Sequence, residues 1–198
     1  MKKLTLRQHE ILDDALDIIA RYGMQRMTIK NLAHAVKVSE PALYRHFKSK
    51  FDILMTILVR YGSNLQELFK QSEHETVSSV DAIETFYTGM FRGFEKQPAL
   101  SIVIFSEDLF RYDRRLSHEV TTIIKLTHER IYKILKEGVR RGEVRSDVPA
   151  KQLAWMVMGI MRLLITRWRI SDYRLGLVKE GREAIILIRK VIAPARKK

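Results

Sequence analysis

A short basic stretch near the amino terminus, residues 28–50, carries the side chains with the clearest chemistry in this sequence. Its polar positions can hydrogen-bond to base edges or to phosphates, and they are Thr28, Lys30, Ser39, Glu40, Tyr44, Arg45, His46, Lys48 and Lys50. Ala42 lies among them, and its short side chain leaves room for a close approach. The stretch therefore predicts a surface that binds DNA.

Two short helices must present these side chains. The pattern predicts one helix over residues 28–36, a tight turn at Lys37 and Val38, and a second helix over residues 39–47 that Ser39 caps. Apolar residues between the polar ones would hold the pair against the preceding helix, which the sequence predicts between Thr5 and Gly23. This layout is a helix-turn-helix, whose second helix enters the major groove.

The remainder of the sequence is helical in its periodicity, with no internal repeat. A fourth helix should begin after Ser49, followed by helices near residues 81–97, 98–110, 113–141, 149–168 and 177–192. We therefore expect an all-α chain of about nine helices. A DNA-binding domain would cover residues 1–50, and a second helical domain residues 51–198.

Composition and charge exclude several classes of protein. The 198 residues include no cysteine, which excludes disulfide scaffolds, iron–sulfur sites and cysteine-containing zinc sites. No zinc-protease, phosphate-loop or serine-hydrolase motif occurs, so we expect neither an enzyme nor a resident metal or cofactor. The longest apolar run, residues 153–161, is too short to span a membrane, which favours a cytoplasmic protein. A net charge of +13 favours a polyanionic partner.

The stretch also resembles a known family. The run Ala42-Leu43-Tyr44-Arg45-His46-Phe47-Lys48-Ser49-Lys50, with Thr28, Leu32-Ala33 and Val38-Ser39, is similar to the DNA-binding domain of the TetR family of transcriptional regulators. The resemblance implies a repressor that a small-molecule effector releases from a near-palindromic operator. It also implies a homodimer that pairs through its last two helices.

The resemblance implies roles for individual residues. Tyr44 would contact a phosphate, Arg45 and His46 would lie at the groove, and Ser39, Glu40 and Ala42 would face bases. Thr28 and Lys30 would reach the DNA from the preceding helix, Lys50 from the following one, and Lys48 would flank them. Lys37 departs from the family, which usually has glycine in this turn.

The resemblance further implies a ligand pocket among the middle helices, where aromatic and methionine side chains are plentiful. The candidates are Phe86, Met90, Phe94, Phe105, Trp155, Met158 and Arg162. If Arg162 faces the core, it needs either a protein carboxylate or an acidic ligand. With the basic charge of residues 111–174, this favours an amphipathic, acidic effector such as a fatty acyl species. The alternative for the whole stripe is an ordinary core.

Two other functions stay open at this point. Some TetR-like proteins bind DNA but act through a protein contact, for example on the cell-division machinery. A core without a pocket would favour that function. A basic amphipathic protein could instead lie on an acidic membrane surface, although its binding would then require anionic lipid.

Overall fold

The computed structural model describes residues 4–72, 77–106 and 113–194. Within these residues there are nine α-helices and one short 3-10 helix, Met24–Arg26, which confirms the all-α prediction. The helices are α1 (Leu6–Tyr22), α2 (Ile29–Ala35), α3 (Glu40–Tyr44), α4 (Lys50–Ser72), α5 (Ser79–Lys96), α6 (Ala99–Ile104), α7 (Arg114–Arg140), α8 (Ala150–Ile170) and α9 (Leu177–Ile192).

The chain divides into two compact units. Unit 1 comprises Met1–Gly62 and Gln97–Thr121, and unit 2 comprises Ser63–Lys96 and Thr122–Lys198. Two of the three boundaries fall inside α4 and α7, and the third follows the end of α5. The expected boundary between domains at residue 50 coincides with the first residue of α4. That functional boundary stays a prediction.

Side-chain caps begin the first helices as their sequences predict. Thr5 forms a capping box with Gln8, Thr28 accepts a hydrogen bond from the Asn31 amide, and Ser39 accepts one from the Ala42 amide. The Ser49 hydroxyl accepts one from the Asp52 amide at 3.2 Å, so α4 begins there too.

Two predicted helices are shorter than expected. α3 ends at Tyr44, because the chain turns at once to bury Phe47, with the His46 amide donating to the Leu43 carbonyl at 2.9 Å. α6 ends at Ile104, and the predicted extension to residue 110 lies mostly outside the described residues, as does the basic tail at 196–198.

Apolar side chains fill the core of each unit. In unit 1, the inner face of α1 packs against α2 and α6, with Ile11, Leu12 and Ile19 completely buried. In unit 2, α9 packs against both α5 and α8. The unit 2 core is aromatic: Phe69 stacks on Phe86 with ring centroids 3.7 Å apart. Of the helices described here, none combines the length and the apolar character needed to cross a membrane.

Candidate DNA-binding interface

A tight turn joins α2 to α3 and sets the direction of α3. The Lys37 amide donates to the His34 carbonyl at 3.2 Å, and the Val38 amide donates to the Ala33 carbonyl at 3.0 Å. This pair of bonds is a Schellman motif, which needs a left-handed residue after the helix. Lys37 supplies it with φ of 57°, where glycine would carry no steric cost.

Buried apolar residues fix the two helices to the rest of unit 1. Leu32 and Leu43 are completely buried, and Phe47 is 2% exposed. Leu43 and Phe47 lie four residues apart, so their burial turns Tyr44 and Arg45, which lie between them, outward. Packing within unit 1 thus sets which face of α3 is available to a partner.

Two side chains of α1 bond to backbone carbonyls of this motif, and Lys50 bonds to a carbonyl of the 3-10 helix that precedes it. Arg7 Nη2 donates to the Val36 carbonyl at 2.9 Å, and Gln8 Nε2 donates to the His46 carbonyl at 3.2 Å. Lys50 Nζ donates to the Met24 carbonyl at 3.2 Å. The first turn of α1 therefore forms hydrogen bonds to the backbone just after the ends of α2 and α3.

Sequence reasoning missed two of these positioning residues. No sequence pattern marks Arg7 as a functional residue, and the spacing of Gln8 from Thr5 indicates only a capping box. Neither contact has a local signal, because the partners lie 29 and 38 residues away along the chain.

Most predicted contact residues lie on the outside of unit 1. Tyr44 is 49% exposed, and the other exposed members are Thr28, Lys30, Ser39, Glu40, Arg45 and Lys48. Ala42, His46 and Lys50 are half-buried. None of the ten predicted contact residues is buried, and their role in DNA binding stays a prediction.

Some of these side chains also have structural tasks. The Thr28 and Ser39 hydroxyls accept capping bonds at 3.1 and 3.3 Å, which leaves their own O–H groups free to donate to a phosphate. Burial lowers the pKa of Lys50, whose ammonium still has two hydrogens beyond the one used for Met24.

A groove of about 650 Å³ lies elsewhere on unit 1, between α1 and α2. Its lining includes Asp14 and Asp17 of α1 together with Arg21 and Arg26, so these four charges cancel. Burial raises the pKa of Asp14, and the neighbouring Asp17 charge raises it further. Unlike the outward face of α3 and its flanking segments, this groove has no excess of cationic side chains that would attract a polyanion.

The predicted ligand-pocket residues fall into separate environments. Phe86 and Phe94 are at most 1% exposed and Met90 is buried, so these three belong to the packed core of unit 2. Trp155 is 47% exposed and stacks on His128, Met158 is half-buried, and Arg162 is exposed. Phe105 is half-buried and belongs to unit 1.

Two features of this arrangement differ from the sequence-based expectation. Arg162 does not face the core, because α8 is apolar over much of its circumference and a different arc of it, which includes Val157 and Met161, is buried. The lining of the groove between α1 and α2 includes none of the predicted pocket residues. Trp155 and Arg162 lie at the surface of unit 2, whereas Phe86 and Phe94 lie in its core.

Comparison with known proteins agrees with this architecture. A family model described as "Bacterial regulatory proteins, tetR family" matches residues 11–56, which contain the whole helix-turn-helix. A second, described as "YsiA-like protein, C-terminal region", matches residues 61–190. Together they span nearly all of the described chain.

Individual relatives are distant but cover nearly the full length. The fatty acid metabolism regulator protein of Bacillus subtilis is 22% identical over 188 residues, covering 95% of this chain and 96% of the relative. The nucleoid occlusion factor SlmA of Serratia proteamaculans is 28% identical over 172 residues, covering 85% of each.

A solved structure shares the fold. The transcriptional regulator FadR from Bacillus subtilis in complex with stearoyl-CoA has a TM-score of 0.78 at 21% identity, covering 93% of this chain and 97% of that one. The capped helix-turn-helix, its exposed polar face and the two family matches lead to one conclusion. The chain belongs to the TetR family of bacterial regulatory proteins and is a DNA-binding transcriptional regulator.

Proposed function

We propose that α3 and its flanking residues read a near-palindromic operator, with Arg45 at the bases and Tyr44 and Lys50 at the phosphates. The observation that carries this proposal is the outward polar face of α3, held by contacts from α1 to backbone carbonyls, which leave its side chains available. An N-terminal capping serine and four exposed cationic side chains nearby, Lys30, Lys37, Arg45 and Lys48, suit a major groove lined by phosphates.

Selection of bound sequences from random duplexes tests this proposal, since it yields the operator and its symmetry together. Tyr44→Ala should weaken binding to every sequence alike. Arg45→Ala should cost about 1–3 kcal/mol at one base position per half-site, which relaxes specificity there. Arg21→Ala is a matched control, because Arg21 is an exposed arginine of unit 1 that lines the groove between α1 and α2. An equal loss on all sequences for Arg45→Ala would limit Arg45 to the backbone.

We also propose that two copies pair through α8 and α9, so that each half-site receives one α3. These helices expose several large apolar side chains, whose contact with water is unfavourable in a monomer. They are Trp155, Leu163, Ile170, Ile186, Leu187 and Val191, between 41% and 78% exposed. A second copy with the same face would bury them, and two-fold symmetry would match the symmetry of the operator.

The effector we propose is an acidic amphipathic molecule, such as a fatty acyl-CoA, that releases the repressor from DNA. The net charge of +13 and the stearoyl-CoA bound by the FadR relative support this class. Fluorescence anisotropy of a labelled operator, titrated with palmitoyl-CoA, should show release. A neutral or cationic molecule extracted with the purified protein, identified by mass spectrometry, would contradict the proposal.

A second candidate function is a DNA-bound protein whose output is a protein contact. The packed aromatic core of unit 2 favours it, since Phe86 and Phe94 leave no room between themselves and their neighbours. The relative named as a nucleoid occlusion factor is in line with it. Operator binding that no acidic amphipath changes, together with capture of a division protein by the operator complex, would favour this candidate.

Under either candidate the chain acts by binding alone, without catalysis, and in the cytoplasm, where chromosomal DNA lies. The two relatives reported above are named as a regulator and an occlusion factor, and neither name is that of an enzyme.

A further inference from the structure

A groove of about 460 Å³ lies on unit 2, between the end of α4 and the helices α5 and α9. One face of α5 supplies Thr85, Thr88 and Arg92, which are spaced three or four residues apart, and α9 supplies Arg182. Leu68 of α4 forms an apolar part of the wall. The groove thus combines hydroxyl donors, two guanidinium groups and an apolar surface.

The close approach of α9 to α5 brings the two arginines to the same groove. A Cβ atom on Gly181 would overlap the ring of Phe91, so the α9 backbone lies directly against that ring. Arg92 and Arg182 are the next residues along each helix. Gly181 is buried, and its missing side chain is therefore what allows this approach.

Ion pairing in the groove is uneven. Arg189 of α9 pairs with both groove carboxylates, Asp81 at 2.5 Å and Glu84 at 3.5 Å. Within the described chain neither Arg92 nor Arg182 has an ion-pair partner. Arg189 thus balances one of the two carboxylate charges, and with Arg92 and Arg182 these five groups leave a small positive excess. The like charges of Arg92 and Arg182 share one concave surface, an arrangement that a bound anion would stabilise.

We infer that Arg92 and Arg182 form a binding subsite for the anionic group of the effector, a phosphate or a carboxylate. Guanidinium groups bind both anions through paired N–H donors, and the Thr85 and Thr88 hydroxyls add further donors. Leu68 would contact the adjoining apolar part of the ligand. This subsite rests on the proposed function, in which the effector is acidic and amphipathic.

Calorimetric titration of the full-length protein tests the inference with three probes: palmitoyl-CoA, palmitate and inorganic pyrophosphate. The variants are Arg92→Gln with Arg182→Gln, the conservative Arg92→Lys with Arg182→Lys, and Arg174→Gln. Arg174 is a matched control, because it is an exposed arginine of unit 2 that pairs with Asp172 outside the groove. Operator binding without effector, and the thermal midpoint, are measured for each variant.

The double glutamine variant should bind the anionic probe at least about tenfold more weakly, whereas Arg174→Gln should match the wild type. The double lysine variant should recover part of that loss. Binding of palmitoyl-CoA and pyrophosphate but not palmitate would identify phosphate as the anchored group, and the reverse pattern would identify carboxylate.

Two failures are distinguishable. If the wild type binds an acidic amphipath and the double glutamine variant binds it equally well, the subsite is wrong and the proposed effector class stands. If the wild type binds none of the three probes, both the subsite and the effector class are wrong, while operator binding in the same samples still supports the DNA-reading function.

Discussion

The two units expose surfaces of opposite chemistry. In unit 1, the outward face of α3 and its flanking segments presents hydroxyl, carboxylate and cationic groups, and Tyr44 is its exposed aromatic residue. In unit 2, α8 and α9 expose branched apolar side chains, of which Ile170 is 78% exposed and Leu163 is 59% exposed. Exposed apolar surface of this extent favours association of unit 2 with a partner, whereas water solvates the polar face of unit 1 well.

This difference indicates how each surface gains its specificity. Unit 1 uses side chains of neighbouring segments to hold backbone carbonyls, so the reading face keeps its own polar groups for a partner. Unit 2 packs its helices through a buried apolar and aromatic core, and the apolar side chains on the outer arcs of α8 and α9 remain for a partner. A hydrogen-bonding partner suits unit 1, and a second apolar face suits unit 2.

The largest expected effect comes from reversing the chemistry of the apolar face. Ile186 and Leu187 are 57% and 58% exposed in the single chain, and a second copy would bury them in the proposed dimer. The double variant Ile186→Asp with Leu187→Asp therefore places two charges in that interface. The dimer dissociation constant should rise by at least about 100-fold, because two central apolar contacts are each worth a kcal/mol or more. Sedimentation equilibrium measures it, and operator affinity should fall in parallel.

Ile124→Asp is the control for this change, since Ile124 is 44% exposed on α7, outside the α8 and α9 face. It should leave the dimer intact. An unchanged dissociation constant in the double variant would remove the apolar face from the interface.

Core packing in unit 2 gives the next largest effect. Gly181→Ala should destabilise the protein by about 1–3 kcal/mol, because its methyl group meets the buried ring of Phe91. Gly93→Ala, in a helix interior with nothing within 4 Å of the new Cβ, should instead stabilise by up to about 1 kcal/mol. Urea unfolding of both variants checks the opposite signs, and equal signs would contradict this account of α9 packing.

The turn of unit 1 can be compared with its counterpart in unit 2. Both helix ends are Schellman motifs, but Gly142 occupies the left-handed position after α7 with φ of 73°, whereas Lys37 occupies it after α2. Lys37→Gly should stabilise the folded protein by about 0.5–1 kcal/mol. Relief of the left-handed strain is worth about 1–2 kcal/mol, and this exceeds the free energy lost because glycine makes the unfolded chain more flexible. Thermal unfolding measures the gain. Lys37→Ala keeps the Cβ atom that causes the strain, so this variant should show no gain in stability.

The smallest effect concerns the ion pair that joins α9 to α5. Hydrogen bonds from Ser78 and Arg189 lower the pKa of Asp81, so its ionised form stabilises the folded state. This contribution is present above the ordinary carboxyl pKa of 3.8 and is lost as the pH falls through the lower folded-state value.

Asp81→Asn should therefore cost less than about 1 kcal/mol at neutral pH, because both partners are about half exposed. The difference from the wild type should vanish below the folded-state pKa. Urea unfolding across the acid range measures it, and Asp172→Asn controls for the loss of one charge. A difference that persists at the acid end would assign the effect to packing.

Much of unit 1 follows from local sequence. Thr5, Thr28, Ser39 and Ser49 are each followed three residues later by the amide that their hydroxyl caps, so the starts of four helices can be predicted without tertiary information. The all-α class follows from periodicity alone, and the tight turn at Lys37 and Val38 follows from the short segment between two predicted helices. These features depend on neighbours along the chain.

The positions of other residues depend on which helices meet. α8 is apolar over much of its circumference, so periodicity cannot show which arc faces the core. Trp155 and Arg162 therefore looked like pocket residues, although both are exposed. The same holds for Gln8, which reaches His46, and for Arg92 and Arg182, which share a groove only because Gly181 lets α9 approach α5. The sequence by itself determined the helices and the reading motif, because caps and periodicity act over a few residues. Tertiary packing alone decided which faces remain available to partners, because burial depends on segments that are distant along the chain.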